Sequence, residues 1–311
     1  MDERSGVLSN GSGESAIWHD GWWESEDGLK LHYRDYPARS GSGADGLPVL
    51  CIPGLTRNAR DFEVLAEDLS ADRRVICIEL RGRGESEYAR DPASYVPAQY
   101  VADLERFFAE TGIERAVFFG TSLGGIVTML SAMTAPHRIA GAMLNDIGPV
   151  IEREGLEHIL EYVGHGRSFP TWMHAARALQ DVHGAVYPDW RIEQWIAFAK
   201  RVMELSASGN IRFDYDMRIA DAFAGTGNPA KDSSMIGAED LWPAFDALAG
   251  RPVLVVHGET SDILSGTVAR EMVGRIPQVE LVSVPGIGHT PTLNEPHVRQ
   301  AIDRLLARCA A

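Results

Sequence analysis

The sequence predicts an α/β architecture, a mostly parallel sheet with helices on both faces and a helical cap inserted between two late strands. Three observations carry that expectation. Short apolar runs rich in β-branched residues alternate with longer helical periodicities from about residue 20. The later runs are almost continuously apolar, as strands buried on both faces should be. The alternation then breaks between residues 150 and 248, a span far longer than a βα crossover needs.

Seven runs read as strands: "LKLHYRDYP" (29–37), "PVLCIPG" (48–54), "RRVICIEL" (73–80), "RAVFFGTS" (115–122), "IAGAMLNDIG" (139–148), "PVLVVHG" (252–258) and "VELVSVPG" (279–286). Between them, Val101, Leu104 and Phe108 form one apolar stripe, and Val298, Ile302, Leu305 and Leu306 another, at the spacing of amphipathic helices. These observations divide the chain into a flexible tail (1–19), a core (20–149 and 249–311) and a helical cap (150–248). The cap carries Tyr162, Phe169, Trp172, Trp190, Trp195, Phe198, Phe213, Tyr215 and Phe223, aromatics that either wall a pocket or form the cap's own core. "GTGNPAKDSS" (225–234) reads as a loop that hinges or borders it.

Composition bounds the function. The 311 residues include 29 Lys plus Arg against 44 Asp plus Glu, a formal net charge of −15, which repels phosphate backbones and anionic lipid. No nucleic-acid or membrane partner is expected, and the expected partner is a small-molecule substrate; oligomeric state is open. The N-terminus lacks a basic region followed by an apolar core, and no apolar stretch is long enough to span a bilayer. Cys51, Cys77 and Cys309 lie far apart without metal-ligand spacing, so neither a disulfide framework nor a metal is expected, and the default location is cytoplasmic.

The chemistry concentrates around "FFGTSLGG" (118–125). Gly120-Thr121-Ser122-Leu123-Gly124 fits G-x-S-x-G between an apolar strand and an apolar helix, the context that makes the serine a nucleophile on a strained turn. A serine hydroxyl needs a base, and the base a carboxylate to orient it. His289 in "GIGHTPTLNEP" follows the last strand, and Asp262 in "HGETSDILS" follows the strand before it, both at the edge where open α/β sheets place ligands. Asp262 is the expected acid. Asp146 in "LNDIGP" is its rival, also after a strand, but is read as capping a helix or anchoring the chain where it enters the cap. The backbone N–H groups of Leu55 and Leu123 are the expected oxyanion donors. Arg57 and Asn58 in the same turn, and Trp172 in the cap, are candidate substrate contacts, the plainer reading of the first two being a solvated loop.

These residues together resemble the α/β-hydrolase superfamily over nearly the whole chain from about residue 22. "ELRGRGES" (79–86) is similar to the superfamily's D-x-R-G-x-G-x-S stretch, with Glu79 for Asp. "PGLTRN" is similar to its oxyanion loop, with Pro53 where His is common, and "GHTPTLNEP" to the catalytic-His loop of small esterases and lactonases. The resemblance implies an eight-stranded type of sheet and a cofactor-independent serine hydrolase acting on a small or medium carboxylic ester or lactone. Serine rather than aspartate at position 122 argues against epoxide opening and halide displacement. Two alternatives stand beside it. One is C–C cleavage of a diketone by the same triad, which the cap's size favours and Thr290, where those enzymes usually carry Trp, disfavours. The other is a slow-turnover ligand receptor that signals through its cap.

Overall fold

The structure, a computed structural model, describes residues 17–40, 46–221 and 240–309. An eight-stranded sheet is ordered β1-β2-β4-β3-β5-β6-β10-β11. Its members are β1 (His19–Glu24), β2 (Lys30–Tyr36), β3 (Val49–Ile52), β4 (Val75–Ile78), β5 (Ala116–Thr121), β6 (Ile139–Asn145), β10 (Val253–Gly258) and β11 (Val279–Val284). The hairpin β1–β2 is antiparallel and β2 runs antiparallel to β4; every pairing from β4 to β11 is parallel.

Alternation along the strands feeds two apolar layers. In β5, Phe118 joins one layer and Phe119 the other, and both are fully buried. On the first face lie α2 (Pro97–Thr111), α3 (Leu123–Thr134), α7 (Trp242–Asp246) and α8 (Gly266–Arg275); on the second lie α1 (Glu63–Leu69) and α9 (Pro296–Cys309). The stripes of Leu104 with Phe108 and of Val298, Ile302, Leu305 and Leu306 point into these layers. Cys51 and Cys77, register partners across β3 and β4, are buried free thiols.

Between β6 and β10 the chain forms α4 (Arg153–Tyr162), β7 (Ser168–Phe169), α5 (Trp172–His183), α6 (Ile192–Val202), β8 (Met203–Leu205) and β9 (Ile211–Phe213). The last three short strands make a separate antiparallel sheet in the order β7-β9-β8. Phe169, Leu179, Tyr187, Trp195, Phe198 and Ile211 close a third apolar cluster, with Trp172 and Trp190 packed against it. Most of the aromatics in this segment are thus its own core. The sheet was not legible because two or three residues are too few to display a period.

Two boundaries differ from expectation. His19 opens β1 rather than closing a tail: Trp23 is buried and Trp22 lies exposed beneath the Lys30 ammonium, so this edge strand has only one apolar side to betray it. Residues 1–16 of the expected tail lie outside the described residues, as do Phe223 and the loop 225–234. At the far end of the expected cap, Ala244, Phe245 and Leu248 join the layer over the sheet, so α7 packs with the core helices.

Candidate active site

Ser122 stands between the end of β5 and the start of α3 at φ 51°, ψ −115°, a conformation costly to any residue with a Cβ. The flanking glycines make the turn possible. A Cβ on Gly120 would strike the Gly124 carbonyl, and one on Gly124 would strike the carbonyl of Ile52 in the neighbouring strand. The turn is tied sideways to β6, where the Ser122 N–H donates to the Asn145 carbonyl at 3.0 Å. The Asn145 side chain donates to Thr121 Oγ1 (3.3 Å) and to the Pro291 carbonyl (3.1 Å), joining the serine turn to the loop that carries His289.

His289 Nε2 lies 3.0 Å from Ser122 Oγ, and His289 Nδ1 lies 2.8 Å from Asp146 Oδ2. Because the carboxylate can only accept, Nδ1 carries the proton and Nε2 is left to accept from the serine hydroxyl. Asp146 is fully buried and holds a positive φ of 54° just beyond β6. Its Oδ1 accepts from the Gly258 N–H at 2.7 Å, and its Oδ2 also accepts from Ser261 Oγ at 2.6 Å. Three partners, the Gly258 N–H, the Ser261 hydroxyl and His289 Nδ1, therefore fix its direction.

This placement corrects the expected acid. Asp262 does not reach His289: its carboxylate pairs with His158 Nδ1 of α4 at 2.6 Å, at the cavity's exposed edge. Burial scarcely opposes this contact, and the Asp262 hydrogen bond raises the His158 pKa. The inward position in the loop after β10 is taken by Ser261, whose hydroxyl also accepts from the N–H groups of Ile263 and Leu264. The loop is further pinned to α4 by the Gly155 N–H on the Asp262 carbonyl at 3.1 Å. Asp146 accordingly neither caps a helix nor anchors the start of the cap.

The turn after β3 brings Gly54 against Ser122, since a Cβ on Gly54 would lie 3.7 Å from that of Ser122. Among the described residues, neither the Leu55 nor the Leu123 N–H has an acceptor, and both residues border Ser122 in one apolar niche. The turn is held from behind by Arg83, fully buried, which donates through Nε to the Leu55 carbonyl at 2.8 Å. The rest of "ELRGRGES" is equally structural. Arg81 makes a two-pronged pair with Asp103 (2.7 and 2.6 Å), and Glu79 accepts from Ala59 N, Glu85 N and His32. Burial works to raise the Glu79 pKa, but the His32 bond and the two amides outweigh it and bring it below the usual carboxylate value.

Ser122 and His289 open on a cavity of about 690 Å³ walled by Leu55, Arg57, Tyr162, His183 and residues of α4 and α5. Of the candidate substrate contacts, Arg57 lines it. Asn58 and Trp172 do not. Asn58 is buried, caps the turn at Arg60 N through its side-chain oxygen and donates to Asp214 at 3.2 Å, while Trp172 packs into the apolar cluster of its own segment. Tyr162 was among the cap aromatics that could wall a pocket, but nothing in the sequence singled it out from the others, and His183 carried no signal, because which helix face overlooks Ser122 depends on how the segment docks. Among the described residues no cluster of three His, Cys, Asp or Glu stands in metal-binding array, and no helix is long and apolar enough to cross a membrane.

A parallel sheet with a serine on the strand-to-helix turn and a histidine and carboxylate from later strand ends defines a hydrolase architecture. The family model for the alpha/beta hydrolase fold matches residues 48–296, and the chain belongs to that family. It is 34% identical over 259 residues to the 3-hydroxybutyrate-oligomer hydrolase of Cupriavidus necator, covering 82% of this chain and 87% of that protein. It is 27% identical over 285 residues to Esterase YbfF of Escherichia coli, covering 89% and 99%. A crystal structure of an alpha/beta hydrolase from Novosphingobium aromaticivorans superposes with a TM-score of 0.87 at 56% identity, covering 95% of this chain and all of that one.

Proposed function

We propose that this protein is a cofactor-independent serine hydrolase of a small or medium carboxylic ester, working through an acyl-enzyme with Ser122 as nucleophile, His289 as base and Asp146 as acid. The observation that carries the reading is the chain from Ser122 Oγ through His289 to Asp146, 3.0 and 2.8 Å, facing the 690 Å³ cavity. Relatives named as an esterase and as a hydrolase of 3-hydroxybutyrate oligomers support an ester rather than an amide or C–C bond.

In the proposed reaction His289 Nε2 takes the hydroxyl proton as Ser122 Oγ attacks the carbonyl carbon. The C=O pair moves to oxygen, and the oxyanion accepts from the Leu55 and Leu123 N–H groups. The first of these sits on a turn fixed by Arg83, the second at the positive end of α3. The tetrahedral centre collapses as the imidazolium returns its proton to the leaving alkoxide. Water, deprotonated by the same nitrogen, then releases the acid and restores Ser122. Buried Asp146 stabilises the imidazolium throughout without taking its proton.

The test is hydrolysis of p-nitrophenyl acetate and butyrate by the wild-type and Ser122→Ala proteins. The substitution should lower kcat by about 10⁴-fold or more. Activity within tenfold of wild type in the folded variant would remove Ser122 from the reaction.

A further inference from the structure

Arg57 is the one Arg or Lys among the described residues that wall the catalytic cavity, and it also lines an adjoining pocket of about 150 Å³. Its guanidinium lies over an aromatic ring, with Cζ 4.5 Å from the Phe198 centroid, and its side chain is only 19% exposed. Nη1 donates to Asp61 Oδ1 at 3.0 Å. Nε and Nη2, the edge that meets a carboxylate side-on, have no hydrogen-bond partner among the described residues. A largely buried cation on a cavity wall with two donor nitrogens unpartnered among the described residues can receive an anion, because desolvation has already weakened its hold on water.

The neighbours fit such a ligand. His183 packs edge-on against the same Phe198 ring. Burial, aided by the positive fields of Arg57 and His289, lowers its pKa to about 4, so at neutral pH it adds a polar wall without a second charge. Beside Ser122, Leu55, Leu123, Ile126, Ile147 and Ile263 line an apolar niche of about 20 Å³, room for a methyl-sized group. Glu161 and Asp181 also border the cavity, but at its exposed rim, where their fields are screened within about 8 Å at physiological ionic strength. Asp262, beside them, is paired with His158.

We propose that Arg57 binds a free carboxylate on the substrate, so that the preferred substrate is an ester that also carries a carboxylate, a hydroxy-acid ester or a dicarboxylic acid monoester, with its short alkyl branch in the niche beside Ser122. This rests on the serine-hydrolase reading above and deepens it. Arg57 here sets specificity and takes no part in bond breaking.

The experiment compares the p-nitrophenyl monoester of glutaric acid with p-nitrophenyl pentanoate, its uncharged counterpart. Wild-type kcat/KM should favour the charged ester by about 10- to 100-fold, mostly through KM. Arg57→Gln should collapse that ratio and Arg57→Lys should keep part of it, with circular dichroism confirming that both variants fold. A wild-type preference for the neutral ester, or a ratio unmoved in Arg57→Gln, overturns the proposal while leaving the serine mechanism intact. If wild type turns over neither ester, the hydrolase reading fails separately. The carboxylate site is then decided by calorimetric titration of glutarate into the Ser122→Ala protein with and without Arg57→Gln: Arg57-dependent binding supports it and absence of binding refutes it.

Discussion

Asp146 Oδ2 sits 2.8 Å from His289 Nδ1, although 143 residues separate them, while Asp262, far nearer in sequence, binds His158 instead. On the proposed mechanism the two carboxylates should therefore separate cleanly. Asp146→Asn should reduce kcat by about 10⁴-fold, since an amide that donates to Nδ1 leaves the proton on Nε2 and the serine without a base. Asp262→Asn should change kcat by only a few-fold. Steady-state rates on a p-nitrophenyl ester decide it, and a larger loss in Asp262→Asn than in Asp146→Asn would overturn the assignment.

The contrast marks where sequence reasoning stops. Seven strands of the main sheet, the Ser122 turn and the His289 loop were legible because strand periodicity and glycine spacing are local properties. The choice between two carboxylates at neighbouring strand ends is not local. It depends on the backbone at Asp146 turning to φ 54° and on Ser261, rather than Asp262, facing inward. Arg57 was legible as a candidate substrate contact, but its unpartnered Nε and Nη2 were not, because Phe198, far along the chain, helps to orient the guanidinium that Asp61 holds from four residues away.

Ser122 should limit stability as well as supply the attacking oxygen. Its φ of 51° with ψ of −115° lies in a region that costs a side-chain-bearing residue about 1–3 kcal/mol. Glycine relieves that strain, and part of the gain is lost to its freer unfolded chain. Ser122→Gly should therefore be inactive yet more stable by about 1 kcal/mol, a rise of roughly 2 °C in Tm. A scanning-calorimetry trace with a lowered Tm would contradict the strain.

Arg81 should be among the costliest side chains to remove. It is fully buried, paired through two bonds to Asp103 and through 3.0 and 2.9 Å bonds to Asp27. Burial already raises the Asp103 pKa against the pull of Arg81. Arg81→Met strands that carboxylate and should cost about 3–5 kcal/mol in urea unfolding. Adding Asp103→Leu should recover part of the loss, because the stranded charge, not the missing pair, carries most of the penalty. A double variant no more stable than Arg81→Met would refute that partition.

Asp214 should tilt the pH dependence of stability in the direction opposite to most paired carboxylates. It is 4% exposed, and burial raises its pKa to about 6 although Arg60 Nη2 lies 2.5 Å from Oδ2. Arg60 also donates to the Arg201 and Met203 carbonyls, so the carboxylate and its partner tie β8 to the turn after β3. The folded protein thus binds this proton more tightly than the unfolded chain, whose aspartates titrate near 3.9. Above about pH 6 both states are ionised and the folded one bears the desolvation cost in full. As pH falls from 6 toward 4 the folded state takes up the proton first, and this group's contribution shifts in favour of folding. With Asp214→Asn as the reference, wild-type stability should gain on the order of 2 kcal/mol between pH 7 and pH 4. The pair of urea-unfolding curves measured across that range checks both the size and the sign, and wild type losing ground to Asp214→Asn as pH falls would mean that the Arg60 pair, not burial, governs this carboxylate.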